Sequence, residues 1–174
     1  TGKTYKIGGN IAREKLSDLI RDTEGYDMTQ EQAEKVISEG RVQLGNKYKV
    51  SLIDERGEIA SVYKGVPQNE IGDFTDVFDG YPKSEGIIMA IRTMSPDYIF
   101  IDEIGTDEDY NAILRSVCCG AEIIATVHAS SLNSLKKRDS INKLFKTGAF
   151  RYIVFLESNN GFFGKMVIEE VADV

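Results

Sequence analysis

Tyr98-Ile99-Phe100-Ile101-Asp102-Glu103 is a run of four apolar residues followed at once by two carboxylates. A short, unbroken apolar run rich in β-branched and aromatic residues is the pattern of a strand buried on both faces, as in parallel sheets covered by helices. The flanks agree with that reading. Ser84 to Met94 is helical in pattern and ends at Pro96, and a second helical stretch covers Glu108 to Cys118. Ile123 to Val127 is another buried run, and Asn133 to Phe145 is helical again. Upstream, Tyr48 to Ile53 alternates and is rich in β-formers. Downstream, Tyr152 to Leu156 and Lys165 to Val171 read as strands, with Gly161-Phe162-Phe163-Gly164 as the turn between them. Strands alternating with helices predict an α/β fold with a mostly parallel sheet and flanking helices.

The first part of the chain differs in character. Ile11 to Asp22 and Met28 to Ser38 carry helical patterns, with Gly40 as the expected stop. This separates a helical N-terminal segment, 1–46, from a core, 47–174. Within the core, Arg56 to Lys83 is rich in Gly, Asp, Pro and Asn and is expected as a long loop, a kind of segment that is often functional.

At 174 residues with 41% hydrophobic and 28% charged side chains, the composition fits one soluble globular domain. The net charge of −7 argues against a chain held to nucleic acid or to an anionic membrane by bulk electrostatics. Lys136-Lys137-Arg138 reads as a solvated helix face, the alternative being a dock for an acidic partner or a neighbouring subunit. Tyr81, Phe145, Phe162 and Phe163 read as packing, not as a base-stacking surface. Cys118 and Cys119 are adjacent and have no third cysteine to pair with, so they are expected as reduced thiols on a buried segment. No apolar run reaches the length that spans a bilayer and no signal peptide opens the chain, which places the expected protein in the cytoplasm.

Three of the apolar runs end in polar clusters: Asp54-Glu55-Arg56-Gly57-Glu58, Asp102-Glu103 and His128-Ala129-Ser130-Ser131. Ligands of open parallel sheets bind outside the carboxyl ends of the strands, so three such ends define one candidate edge. Singly, each has a plainer explanation, because strand-end carboxylates also serve as helix caps and a single histidine is usually a surface or core residue. Their convergence carries the functional reading. The chemistry they suit is metal-assisted phosphoryl transfer, with Asp102 as the strand-end carboxylate of the Mg²⁺ shell. Glu103, Glu55 and Glu58 are each candidates for polarising the attacking water, and His128 for sensing or stabilising charge at the γ-phosphate. Acidic clusters alone repel, and a Mg²⁺-nucleotide between them, with Arg56 close by, relieves that repulsion.

At these residues the chain resembles the stage III sporulation protein AA family, sporulation ATPases related to the type II and type IV secretion motors. The resemblance rests on Asp54 to Ala60, Tyr63 to Asn69, Thr75-Asp76-Val77, Met94-Ser95-Pro96-Asp97 and Ile101 to Gly105, and extends from about Lys47 to Glu157. Thr126 to Ser131 looks like the His box of those motors, Asp54 to Glu58 like their Asp box, and Tyr98 to Glu103 like their Walker B strand. The resemblance implies a RecA-like P-loop core, a hexameric ring, and ATP with Mg²⁺ as cofactors. It also implies work at a membrane-embedded channel on the mother-cell side. In that frame Asp102 and Glu103 take the Walker B role, Glu55 and Glu58 are Asp-box carboxylates, and His128 is the His-box residue. Arg13, Arg56 and Arg92 are the candidates for reaching a neighbour's nucleotide.

Gly2-Lys3-Thr4 is the candidate for the end of a phosphate-binding loop of G-x-x-x-x-G-K-[ST] pattern, with the Thr4 hydroxyl toward the metal. Such a loop runs directly into a helix, whereas Tyr5-Lys6-Ile7-Gly8-Gly9-Asn10 follows here. A second hypothesis therefore stands beside the ATPase: an assembly subunit of the same fold that does not hydrolyse nucleotide. A nucleic-acid translocase on this fold is disfavoured by the acidic charge and by the lack of an aromatic-basic stripe.

Overall fold

The structure, a computed structural model, describes residues 3–7, 30–129, 131–150, 152–159 and 162–170. In chain order these form β1 (Lys3–Ile7), α1 (Gln30–Gly45), β2 (Val50–Asp54), β3 (Thr75–Asp79), α2 (Lys83–Thr93), β4 (Tyr98–Ile101), α3 (Asp107–Val117), β5 (Glu122–His128), α4 (Leu132–Lys136), α5 (Asp139–Lys146), β6 (Tyr152–Asn159) and β7 (Phe162–Glu170). The helix expected over Ile11 to Asp22 lies outside the described residues. By its internal contacts the chain divides into two compact units, Arg41–Ala125 and Thr1–Gly40 with Thr126–Val174. This division differs from the 1–46 and 47–174 segments read from composition.

The unit Arg41–Ala125 is built on parallel strands in the order β3-β2-β4-β5. Val50 faces Tyr98 and Ile53 faces Ile101 across β2 and β4, while Ile101 faces Ala125 across β4 and β5. Every residue of β2 and β4 is buried, which is why β4 reads as an unbroken apolar run, while β2 buries Ser51 and Asp54 within an alternating one. Two parallel neighbours cannot be joined by a tight turn, and residues 55–74 supply the crossover from β2 to β3. β3 is the strand that the long-loop reading missed. It lies on the edge of this set with only Phe78 fully buried, so its sequence, Thr-Asp-Val-Phe-Asp, carries little hydrophobic signal.

Helices flank these strands. α2 lays Gly86, Ile87 and Ala90 on the buried face, and Gly86 brings its backbone against Ile53. α3 begins at Thr106, whose hydroxyl accepts from the Asp109 amide while the Asp109 carboxylate accepts from the Thr106 amide, a reciprocal cap. Its far end carries Cys118 and Cys119, both exposed, where a buried segment was expected. α1 runs through Gly40, the expected stop, and ends at Gly45. The reason is tertiary: Leu44 is buried, and Gly45 meets the backbone of Gly72 so closely that a Cβ at Gly72 would lie 2.4 Å from the Gly45 carbonyl carbon. Phe74 donates its amide to the Gly45 carbonyl at 2.7 Å, which ties the crossover to the helix end.

The other unit holds β1, β6 and β7 in antiparallel pairing, with Thr4 opposite Phe155 and Val154 opposite Ile168. Phe162, Phe163 and Gly164, expected in a turn, belong to β7, and Gly161 lies outside the described residues. The single helix expected over Asn133 to Phe145 is two. Leu135 and Ile141 are both buried yet six positions apart, a spacing that puts them on different faces of one continuous helix. The break at Lys137 and Arg138 re-phases the chain so that Ile141, Leu144 and Phe145 are all buried. Lys136, Lys137 and Arg138 are exposed, in line with a solvated face.

Candidate functional site

Parallel pairing in register brings the ends of β2 and β4 side by side, and the Asp102 amide reaches the Ile53 carbonyl at 3.4 Å. The two acidic clusters therefore share one edge. Asp54, the last residue of β2, is fully buried and is not available to a ligand. Its carboxylate accepts from the amides of Glu58 at 3.0 Å, Ile59 at 3.1 Å and Ala60 at 2.8 Å. A carboxylate with its charge held by three backbone donors organises the loop that follows and so aims Glu55, Arg56 and Glu58.

Asp102 is the carboxylate without such support. Its Oδ2 is buried and has no hydrogen-bond partner among the described residues. Burial, first, and then the Glu58 carboxylate push its carboxyl above the ordinary aspartate value; Lys83 pulls it back, and Asp54 and Glu103 add to the rise. Glu58 is thus close enough for its charge to be felt at Asp102. Glu103 stands next along the chain with a φ of 30°, a left-handed conformation costly for a residue with a Cβ. Its Oε2 accepts from Arg56 Nη1 at 3.0 Å, an ion pair that joins the loop after β2 to the loop after β4.

Lys83, which sequence reasoning left in the loop, is the site's missed residue. It is 7% exposed and its ammonium pairs with the Glu55 carboxylate. Placing the helix start at Ser84, one residue late, hid the signal: Lys83, Ile87 and Ala90 lie at the i, i+4, i+7 spacing of the buried face of α2. A lysine on that stripe demands an anionic partner within reach.

The remaining candidates belong to other elements. His128 ends β5, is exposed, and accepts a hydrogen bond on its carbonyl from Arg138 Nη2 at 3.0 Å. Ser131 caps α4 through the Ser134 amide, and Ser130 lies outside the described residues. Lys3 and Thr4 stand in β1, an extended strand paired with β6, and not at the junction of a loop and a helix. Gly2 and Arg13 lie outside the described residues. Arg92 is exposed in the last turn of α2.

The residues at the acidic edge fit a divalent cation of the Mg²⁺ type. Such an ion keeps several waters and takes one or two carboxylates plus phosphate oxygens, not a full protein cage. Asp102, with its buried oxygen unpartnered among the described residues, matches one such donor. Among the described residues no three His, Cys, Asp or Glu side chains come together in metal-holding geometry.

The family described as "Sporulation stage III, protein AA" matches residues 20–168. The chain is also similar to stage III sporulation protein AA of Bacillus subtilis (strain 168), with 42% identity over 106 residues, 60% of this chain and 34% of that protein. It therefore spans about a third of the length of this curated relative. No solved structure matches the chain. Among the described residues no helix is long and apolar enough to cross a membrane. The acidic strand ends, the loop that Asp54 organises and the helix that follows all fall inside the matched range, and the chain belongs to the sporulation stage III protein AA family.

Proposed function

We propose that this chain is the hydrolytic part of a sporulation ATPase with a RecA-like P-loop core. It couples Mg-ATP hydrolysis to the assembly or operation of a membrane channel during spore formation. The observation that carries the reading is Asp102, a strand-end carboxylate with one buried oxygen unpartnered among the described residues. In this reading Asp102, with Glu58, would hold Mg²⁺, and the Thr4 hydroxyl is a further proposed ligand. The ion supplies neutralisation of the charge that develops on the transferred phosphate. Glu103 would polarise the attacking water, and Arg56, more than half exposed, would turn toward phosphate. Glu55 remains with Lys83 and orients the edge. Gly2 and Lys3 would contact the phosphates, and His128 the γ-phosphate. The partners are further copies of the chain in a hexameric ring and membrane-embedded channel proteins, with the protein peripheral to that complex on the mother-cell side. Nucleic acid is not a partner, in keeping with the net charge of −7. The test is Mg²⁺-dependent ATP hydrolysis by the purified protein. Asp102→Ala and Glu103→Gln are each expected to lower the rate by about 10² or more. Rates equal to the parent's would sink the assignment.

The extended backbone at Lys3 and Thr4 favours a second reading, in which the fold serves assembly without hydrolysis. A phosphate loop needs free amides at a helix start, whereas strand amides are engaged in the sheet ladder. Calorimetry decides between the two readings. Heat of ATP binding in Mg²⁺ supports the ATPase, and its absence, with ring or channel association intact, supports the assembly subunit.

A further inference from the structure

The crossover from β2 to β3 folds back on itself as a two-residue hairpin. Tyr63 and Val66 exchange backbone hydrogen bonds of 2.9 and 3.0 Å. Lys64 and Gly65 between them have φ of 51° and 81°, the left-handed pair of a type I′ turn. The base of the hairpin is fixed. The amides of Gln68 and Asn69 donate to the Ala60 carbonyl at 3.0 and 3.2 Å, and Asn69 Nδ2 donates to the Ile59 carbonyl at 2.8 Å. The Ala60 amide in turn donates to the Asp54 carboxylate, which moors the hairpin to the C-terminal end of β2. The tip projects into open space: Tyr63 is 63% and Val66 59% exposed, and a Cβ at Gly65 would meet no atom of the described residues within 4 Å. Between Glu58 and Glu70 its only charge is Lys64, on a chain of net charge −7.

The opposite end of β2 carries a complementary surface. Phe74, 59% exposed, is fixed there by its amide on the Gly45 carbonyl and by its carbonyl, which accepts from the Val50 amide at 2.9 Å. Asp73 and Asp76, both exposed, flank it. The tip thus offers an aromatic ring and a cation, and the other end an aromatic ring and two carboxylates. A preorganised tip also loses little entropy on docking. Because the two surfaces stand at opposite ends of one strand, contact between copies through them runs head to tail, the heterologous arrangement that generates rings. We propose that the tip of one copy docks on the Phe74 edge of the next, with Tyr63 and Val66 packing on Phe74 and Lys64 pairing with Asp73 or Asp76. The proposal deepens the reading of the chain as a ring subunit and rests on it for the association of copies.

The experiment is sedimentation velocity of the full chain over a range of concentrations. It compares the parent, Tyr63→Ser, Lys64→Glu, Phe74→Ser and an equimolar mixture of Tyr63→Ser with Phe74→Ser. All three side chains are exposed, so each variant is expected to fold and to melt with the parent. Each variant alone is expected to associate about tenfold more weakly than the parent, or worse. The mixture is expected to recover association but to stop at pairs, because Phe74→Ser brings an intact tip and Tyr63→Ser an intact edge. A mixture no better associated than its components overturns the head-to-tail contact. Association of the parent that all three variants leave unchanged overturns the inference and leaves the ring reading standing. A parent that stays monomeric throughout overturns both.

Discussion

Removing the Asp54 carboxylate leaves the amides of Glu58, Ile59 and Ala60 without their acceptor, and that of Ala60 is buried. Hydrogen bonds to a charged acceptor contribute more than neutral ones, and orphaned buried donors add their desolvation cost. Asp54→Ala is expected to destabilise the fold by about 3 kcal/mol, read as a lower urea midpoint at constant slope. Asp102 behaves in the opposite sense. Its folded pKa is raised, chiefly by burial and then by Glu58, so the stability it contributes is present below the ordinary aspartate value and lost as pH rises through the raised one. At neutral pH the ionised carboxylate is therefore a burden on the fold. Asp102→Asn, of the same shape without the charge, is expected to melt a few degrees above the parent in metal-free buffer at neutral pH. The gap should close as pH falls below about 4, where the parent's carboxyl is protonated too. A variant that melts below the parent at neutral pH contradicts the assignment of Asp102 as an unsupported buried charge. The two aspartates were equally visible in the sequence as strand-end carboxylates. Their different roles were not, because hydrogen bonds donated to Asp54 by amides four to six residues ahead leave no pattern in residue types.

At the scale of elements, β4 and β5 were legible because strands buried on both faces read as continuous apolar runs, and β2 because it alternates and is rich in β-formers; the boundaries moved by only a residue or two. β3 was illegible for the converse reason: an edge strand half-exposed along its length has the composition of a loop. The split between α4 and α5 depended on where Leu135 and Ile141 find their core, and α1 overran Gly40 because of contacts at Leu44 and Gly45. These are tertiary causes that override local propensity. α2 adds a consequence for the site. Its distance from β2 is set at Gly86, where an added Cβ would lie 2.9 Å from Ile53 Cγ2, and Lys83 is one turn away on the same face. Gly86→Val forces the helix off the strand or Ile53 off its rotamer, at a cost of about 2–3 kcal/mol in denaturant unfolding. It is also expected to loosen the Lys83–Glu55 pair. A change in stability of a few tenths of a kcal/mol or less would mean that the contact relaxes without cost.

For the whole molecule, a net charge of −7 makes folding work against self-repulsion, and part of that repulsion is concentrated where Asp54, Glu55, Glu58, Asp102 and Glu103 share one edge with Arg56 and Lys83. Salt acts on these contributions differently. Monovalent ions screen the diffuse part over a Debye length of about 8–10 Å and screen the buried members of the edge, Asp54 and Lys83, less. A divalent ion that binds the edge in the folded state alone adds stability by mass action, about 1.4 kcal/mol at ten times its dissociation constant. The melting temperature is therefore expected to be higher in MgCl₂ than in NaCl at matched ionic strength. Asp102→Asn should abolish that difference and keep the common rise with NaCl. If the parent melts alike in both salts, Lys83 and Arg56 alone balance the edge, and the carboxylates serve the fold instead of a metal. If the difference persists in Asp102→Asn, the ion binds elsewhere on an acidic surface.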